Sequence, residues 1–138
     1  MRMLTAAGVG MGLWVMAGCS MNEQEIDRLT RQWILVWNDG DPATLPLADD
    51  FQHTSPYGRI EGREHYLEVV VPMAKENVST LTIEDVLVSG SQSVIRYQVA
   101  KPGGETMKAC DWLTFENGQL ARVWSYYERP QESRADSY

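Results

Sequence analysis

The sequence predicts an α+β domain in which a curved antiparallel sheet wraps around N-terminal helices. Three observations predict it. Residues 23–38 place apolar side chains at helical steps, and four later runs are rich in Val, Ile, Thr and aromatics. Short Gly-containing links join those runs, and the helices precede them, the order of an α+β domain rather than of alternating βαβ units. A chain of 138 residues suits one core, not two.

The first helix is marked by Ile26, Leu29, Trp33, Val36 and Trp37, spaced three and four apart. Asn22 suits its N-cap, and Asn38-Asp39-Gly40-Asp41-Pro42 stops it. Asp41 can cap a short second helix, Pro42–Leu47, with Pro at its first position. Phe51–Ser55 reads as a strand closed by the turn signal Pro56-Tyr57-Gly58. Glu61-Gly62 leads into a third helix ending near Asn77, which Pro72 must kink or divide. Strands are predicted at Leu81–Ser89, Ser93–Lys101, Glu105–Glu116 and Gln119–Glu128. Their links, Ser89-Gly90-Ser91, Pro102-Gly103-Gly104 and Asn117-Gly118, suit hairpins. The domain is expected to span residues 21–130, with a polar, disordered tail at 131–138.

Charge excludes one class of partner. Nineteen acidic against 12 basic residues leave a net charge of −7, and no Lys/Arg cluster offers a footprint for a phosphate backbone, so nucleic acid is not expected. The two cysteines, Cys19 and Cys110, make no disulfide framework, and neither they nor His53 and His65 have zinc-ligand spacing. No metal or other cofactor is expected. Five Trp and six Tyr suggest aromatic lining for a core, pocket or interface.

Residues 1–20 have the layout of a secretory signal: Arg2, an apolar run from Met3 to Gly18, then small residues and Cys19. The apolar run is short for the roughly 20 residues of a membrane span. Met16-Ala17-Gly18-Cys19 resembles the bacterial lipobox, which implies lipidation of Cys19 and an exported, membrane-anchored lipoprotein touching the membrane only through that anchor. The alternative is a cytoplasmic domain whose translation starts at Met21.

The stretch that carries most chemistry is Met107–Phe115. Alternation along a strand puts Met107, Ala109, Asp111, Leu113 and Phe115 on one face, with Asp111 its lone ionisable group. A carboxyl group there loses hydration and its pKa rises; held neutral, it can donate a hydrogen bond to a developing oxyanion. Equally, backbone or tyrosine donors can satisfy it as a structural group. By the same alternation Phe51, His53 and Ser55 share a face. His53 is a candidate general base, or a histidine hydrogen-bonded at a pocket wall. Tyr57 and one of Tyr126 and Tyr127 can bring phenols to a pocket. Trp112 and Cys110 face the opposite side, where a partner subunit can cover them.

In element order and in three segments, the chain resembles the nuclear transport factor 2-like superfamily, and within it the SnoaL-like and ketosteroid isomerase-like proteins. The segments are RQWILVWNDGD (Arg31–Asp41), LADDFQHTSPYGRIEGRE (Leu47–Glu64) and ACDWLTFENGQLARVWSYYE (Ala109–Glu128). The resemblance implies a cone-shaped fold, an apolar pocket between sheet and helices, and homodimers packed through the sheet. It places Asp111 at the isomerases' neutral acid, Trp33 at their tyrosine and Ser55 at their aspartate base, so steroid isomerisation by that mechanism is not expected. The pocket is expected to be lined by Trp33, Ser55, Tyr57, Leu113, Val123 and Tyr127, and to take a small apolar or aromatic molecule. An enzyme reading makes the chain a cofactor-independent isomerase, cyclase or hydrolase using Asp111 and His53. A third reading is a non-catalytic dimeric scaffold.

Overall fold

The computed structural model describes residues 21–129. The signal, lipobox and tail expectations fall outside them.

Helix α1 (Glu23–Asp39) buries Ile26, Leu29, Trp33 and Val36 as expected, together with Thr30 and Ile34. Its first turn is closed by the Asn22 side chain, which accepts a 2.8 Å hydrogen bond from the Glu25 backbone N–H. Its end is set by Gly40: a Cβ there would stand 2.8 Å from the Val36 Cα. The expected second helix is only a 3₁₀ turn, Pro42–Thr44, capped by Asp41. The chain then enters β1 (Leu47–Ser55), four residues earlier than predicted, and turns back as β2 (Gly58–Glu61), a strand with no counterpart among the predicted elements.

The third helix is broken into pieces. A single turn, α2 (Arg63–His65), runs into a π-helical segment, Tyr66–Val70, and then into α3 (Val71–Asn77). Pro72 sits in the first turn of α3, where its missing N–H does least harm. Four strands follow: β3 (Thr80–Ser89), β4 (Gln92–Ala100), β5 (Thr106–Glu116) and β6 (Gln119–Tyr127). Asn117 and Gly118, at φ 51° and 76°, turn β5 into β6 with two left-handed residues, the twist a tight hairpin needs.

The sheet order is β2-β1-β6-β5-β4-β3. It is mixed rather than wholly antiparallel, because β1 runs parallel to β6 with His53 opposite Val123. Helical residues precede β1 while the hairpins follow it, so the first strand returns beside the last without a direct connection. The α+β architecture stands, with α1 packed on β3 and β4. Leu113, Val123, Ile95 and Phe51 are fully buried under α1 and the π-helical segment. The opposite face of the sheet leaves Trp112, Trp124 and Tyr126 about half exposed.

Candidate functional site

Asp111 stands on the inner face of β5 at 1% exposure. Two elements donate to it directly, and a third stands alongside. From α1, the Trp33 indole Nε1–H donates to Oδ2 at 2.7 Å. From β4, where Tyr97 pairs with Ala109 and shares Asp111's face, the phenol donates to Oδ1 at 3.0 Å. Ser125 lies opposite Asp111 in the β5–β6 register, and its hydroxyl also favours the charged carboxylate. Burial outweighs these donors and lifts the Asp111 pKa to about 6, so both protonation states are populated close to neutral pH.

His53 Nε2 lies 2.9 Å from Ser125 Oγ. Its ring packs 6.1 Å from Trp33 and edge-on to Tyr66 at 5.3 Å. Burial lowers its pKa to about 4, which keeps the imidazole neutral at pH 7 and makes it a weak base. Tyr66, buried in the π-helical segment, stacks on Trp33 at 6.0 Å and meets Phe51 edge-on at 5.0 Å. Burial, and then the Asp111 charge, push the phenols of Tyr66 and Tyr97 well above their ordinary value, so both stay protonated donors.

The other expected lining residues lie at different depths. Leu113 and Val123 are at 0% exposure in the core. Tyr127 is half-buried on the inner face of β6, and Tyr126 points outward. Ser55, at the end of β1, accepts a 3.2 Å hydrogen bond from the Tyr57 backbone N–H. Tyr57 is exposed, with its ring 6.2 Å from Tyr127 and the Arg129 guanidinium 4.8 Å above it. Asp111, Trp33 and His53 therefore come together, while Ser55, Tyr57 and Tyr127 gather at the ends of β1 and β6.

Three residues of this constellation were not singled out from the sequence: Tyr97, Ser125 and Tyr66. For Tyr97 a signal existed. Alternation in β4 puts Ser93, Ile95, Tyr97 and Val99 on one buried face, and a lone buried acid on the next strand calls for a donor. Ser125 shares the inner face of β6 with Val123 for the same reason. Tyr66 depends on the π-helical break and had no comparable signal.

Among the described residues, two of the cavities lie elsewhere on the fold. One of about 440 Å³ lies at the start of α1, between Met21, Ile26, Phe115 and Gly118. The other, about 380 Å³, lies on the outer sheet face between Gln92, Trp112, Arg122, Trp124 and Tyr126. Neither is lined by Asp111 or His53. Among the described residues no group of three or more His, Cys, Asp or Glu side chains is placed to hold a metal ion.

Comparison with known proteins agrees with this architecture. Residues 30–123 match the SnoaL-like domain family. No curated protein matches the chain. Among solved structures, it is similar to an NTF2-like protein of unknown function from Mesorhizobium loti, at 18% identity and a TM-score of 0.68, over 78% of this chain and 93% of that one. It is also similar to a proposed SnoaL-like polyketide cyclase from Jannaschia sp. CCS1, at 15% identity and a TM-score of 0.65, over 77% and 87% of the two chains. A proposed ketosteroid isomerase from Kribbella flavida shares 22% identity at a TM-score of 0.66, over 80% of this chain and 82% of that one. At these identities the likeness shows a nuclear transport factor 2-like fold, and the family match, over more than half of its length, shows that the chain belongs to the SnoaL-like domain family.

Proposed function

We propose that this SnoaL-like domain binds a small apolar or aromatic molecule between its sheet and helices and moves a proton on it without a cofactor. Asp111 is the acid that donates to a developing oxyanion, as in an isomerase, cyclase or hydrolase. The observation that carries this reading is the state of Asp111: a carboxyl group in an aromatic shell, oriented by Trp33 and Tyr97, with a pKa of about 6. A group poised so close to neutral pH can give a proton in one step and take it back in the next. His53, the expected base, is weakened by its burial. Its contribution runs through Ser125, which it touches.

The test is a fluorescence titration with hydrophobic ketones and phenols, followed by product analysis of any that bind. The Trp33 indole contacts Asp111, so ligand entry is expected to change tryptophan emission. Saturable binding by the wild type, with turnover reduced at least about 100-fold in Asp111→Asn, supports the reading. Equal turnover in the two proteins, or no saturable binding to folded wild type, overturns it.

A second reading rests on a different observation. Trp112 and Trp124 pair directly on the outer face, and with Tyr126 they are 45–51% exposed. Three large aromatics on one face are suited to burial against a second copy of the chain. Sedimentation at micromolar concentration is expected to show a dimer that Trp112→Glu converts to monomer. A wild-type monomer would remove this reading.

A further inference from the structure

An acid that gives up its proton must regain one, and Asp111 has almost no contact with water at 1% exposure. Its three polar neighbours differ in what they can pass on. The Trp33 indole is a donor only, so it can hold the carboxylate but cannot relay a proton. The Tyr97 phenol is itself buried, at 7% exposure, and its deprotonation is opposed by that burial and by the Asp111 charge. The Ser125 hydroxyl is different. It both donates and accepts, it stands opposite Asp111 across the β5–β6 ladder, and its Oγ lies 2.9 Å from His53 Nε2. His53, on β1, is only partly buried.

We propose that Ser125 is a proton relay, a positioning residue that links the buried Asp111 carboxyl group to His53, and that His53 is the point at which this acid exchanges protons with solvent. Reloading runs in one direction. Solvent protonates His53 at Nδ1, the Nε2 proton passes to Ser125 Oγ, and the Ser125 hydroxyl proton passes to the Asp111 carboxylate. His53 ends neutral with its proton on Nδ1, and the net change is one proton from water to Asp111. The reverse order unloads it. The pKa of His53, near 4, makes the imidazolium a brief intermediate rather than a resting state.

Other titratable groups surround this path. Tyr97 from β4, Tyr66 from the π-helical segment and Tyr127 from β6 all feel the Asp111 charge, and all three phenols are pushed up, so they remain neutral donors through the relevant pH range. Cys110, next to Asp111 on β5, is raised as well and lies on the other face of the strand.

The relay deepens the proton-transfer reading above by naming how its acid is reloaded, but the coupling can be measured on the free protein. The experiment follows the imidazole ¹⁵N signals of His53 from pH 3 to 8 in the full chain. Wild type is expected to show the histidine's own step near pH 4 and a second inflection near pH 6 reporting Asp111. In Ser125→Ala the second inflection should shrink at least threefold, Ser125→Thr should keep it, and Asp111→Asn should abolish it. Ser125→Cys, which keeps a similar volume with weak hydrogen bonding, replaces the alanine variant if that does not fold. An inflection of unchanged size in the alanine or cysteine variant would mean that only a through-space field connects the two groups, and the relay fails. So does a wild type with no inflection near pH 6. A failed ligand titration with this coupling intact sinks the functional reading alone.

Discussion

The Trp33 indole N–H of the first helix donates to Asp111 on the fifth strand at 2.7 Å, joining residues 78 positions apart. This contact ties α1 to the sheet and is the first of the hydrogen bonds that oppose the effect of burial on the acid. Trp33→Phe keeps the aromatic packing but removes the donor. It should raise the Asp111 pKa above its present value of about 6 and destabilise the fold by roughly 1–3 kcal/mol. The loss should be larger at pH 8, where the carboxylate is charged, than at pH 5. Denaturant unfolding at the two pH values checks this, and equal losses would show that the hydrogen bond does not stabilise the charge.

Asp111 and His53 pull pH-dependent stability in opposite directions. Folding raises the Asp111 pKa to about 6 from 3.8, so between those values the native state holds a proton that the unfolded chain has lost, and stability falls as pH rises. Folding lowers the His53 pKa to about 4 from 6.5, so over nearly the same window stability falls as pH drops. Each effect is on the order of 3 kcal/mol, and in the wild type they largely cancel. Asp111→Asn should therefore gain stability from pH 4 to 6.5, and His53→Gln should lose it from pH 4 to 6. Parallel unfolding curves for the two variants would refute the assignment.

Helix α3 is loosely held, touching chiefly the π-helical segment that precedes it. None of its residues is buried, and Met73 is 55% exposed, whereas Tyr66 just before it is at 1%. A ligand that touches Asp111 must displace something, and the element with least burial moves most readily. Hydrogen exchange of the amides in α3 should run about ten-fold or more faster than in the centre of α1. Comparable protection in the two helices would place ligand entry elsewhere.

The end of α1 makes a local prediction. A methyl group at Gly40 would meet Val36 Cα at 2.8 Å, and that neighbour is backbone that cannot rotate away. Gly40→Ala should destabilise the protein by about 1–3 kcal/mol. Gly103→Ala, in a loop where a Cβ meets nothing within 4 Å, should be near neutral. Thermal unfolding of the two variants side by side decides the matter.

Elements whose cause is local are legible along the chain. Helical spacing marked α1, alternation and Gly-containing turns marked β3 to β6, and Asn117-Gly118 marked the last hairpin. Alternation also turned Asp111 inward, because a strand residue between Ala109 and Leu113 must share their face. The surroundings of that acid come from the packing of whole elements. The parallel pairing of β1 with β6 puts His53 beside Val123 and within reach of Ser125. The packing of α1 and β4 against β5 brings Trp33 and Tyr97 to the two carboxylate oxygens. The division of the third helix into a π-helical segment and α3 seats Tyr66 on Trp33. Period and turn chemistry are properties of neighbouring residues and can be read along the chain. A hydrogen bond between residues 78 apart depends on how whole elements pack, and that is written in no single stretch of it.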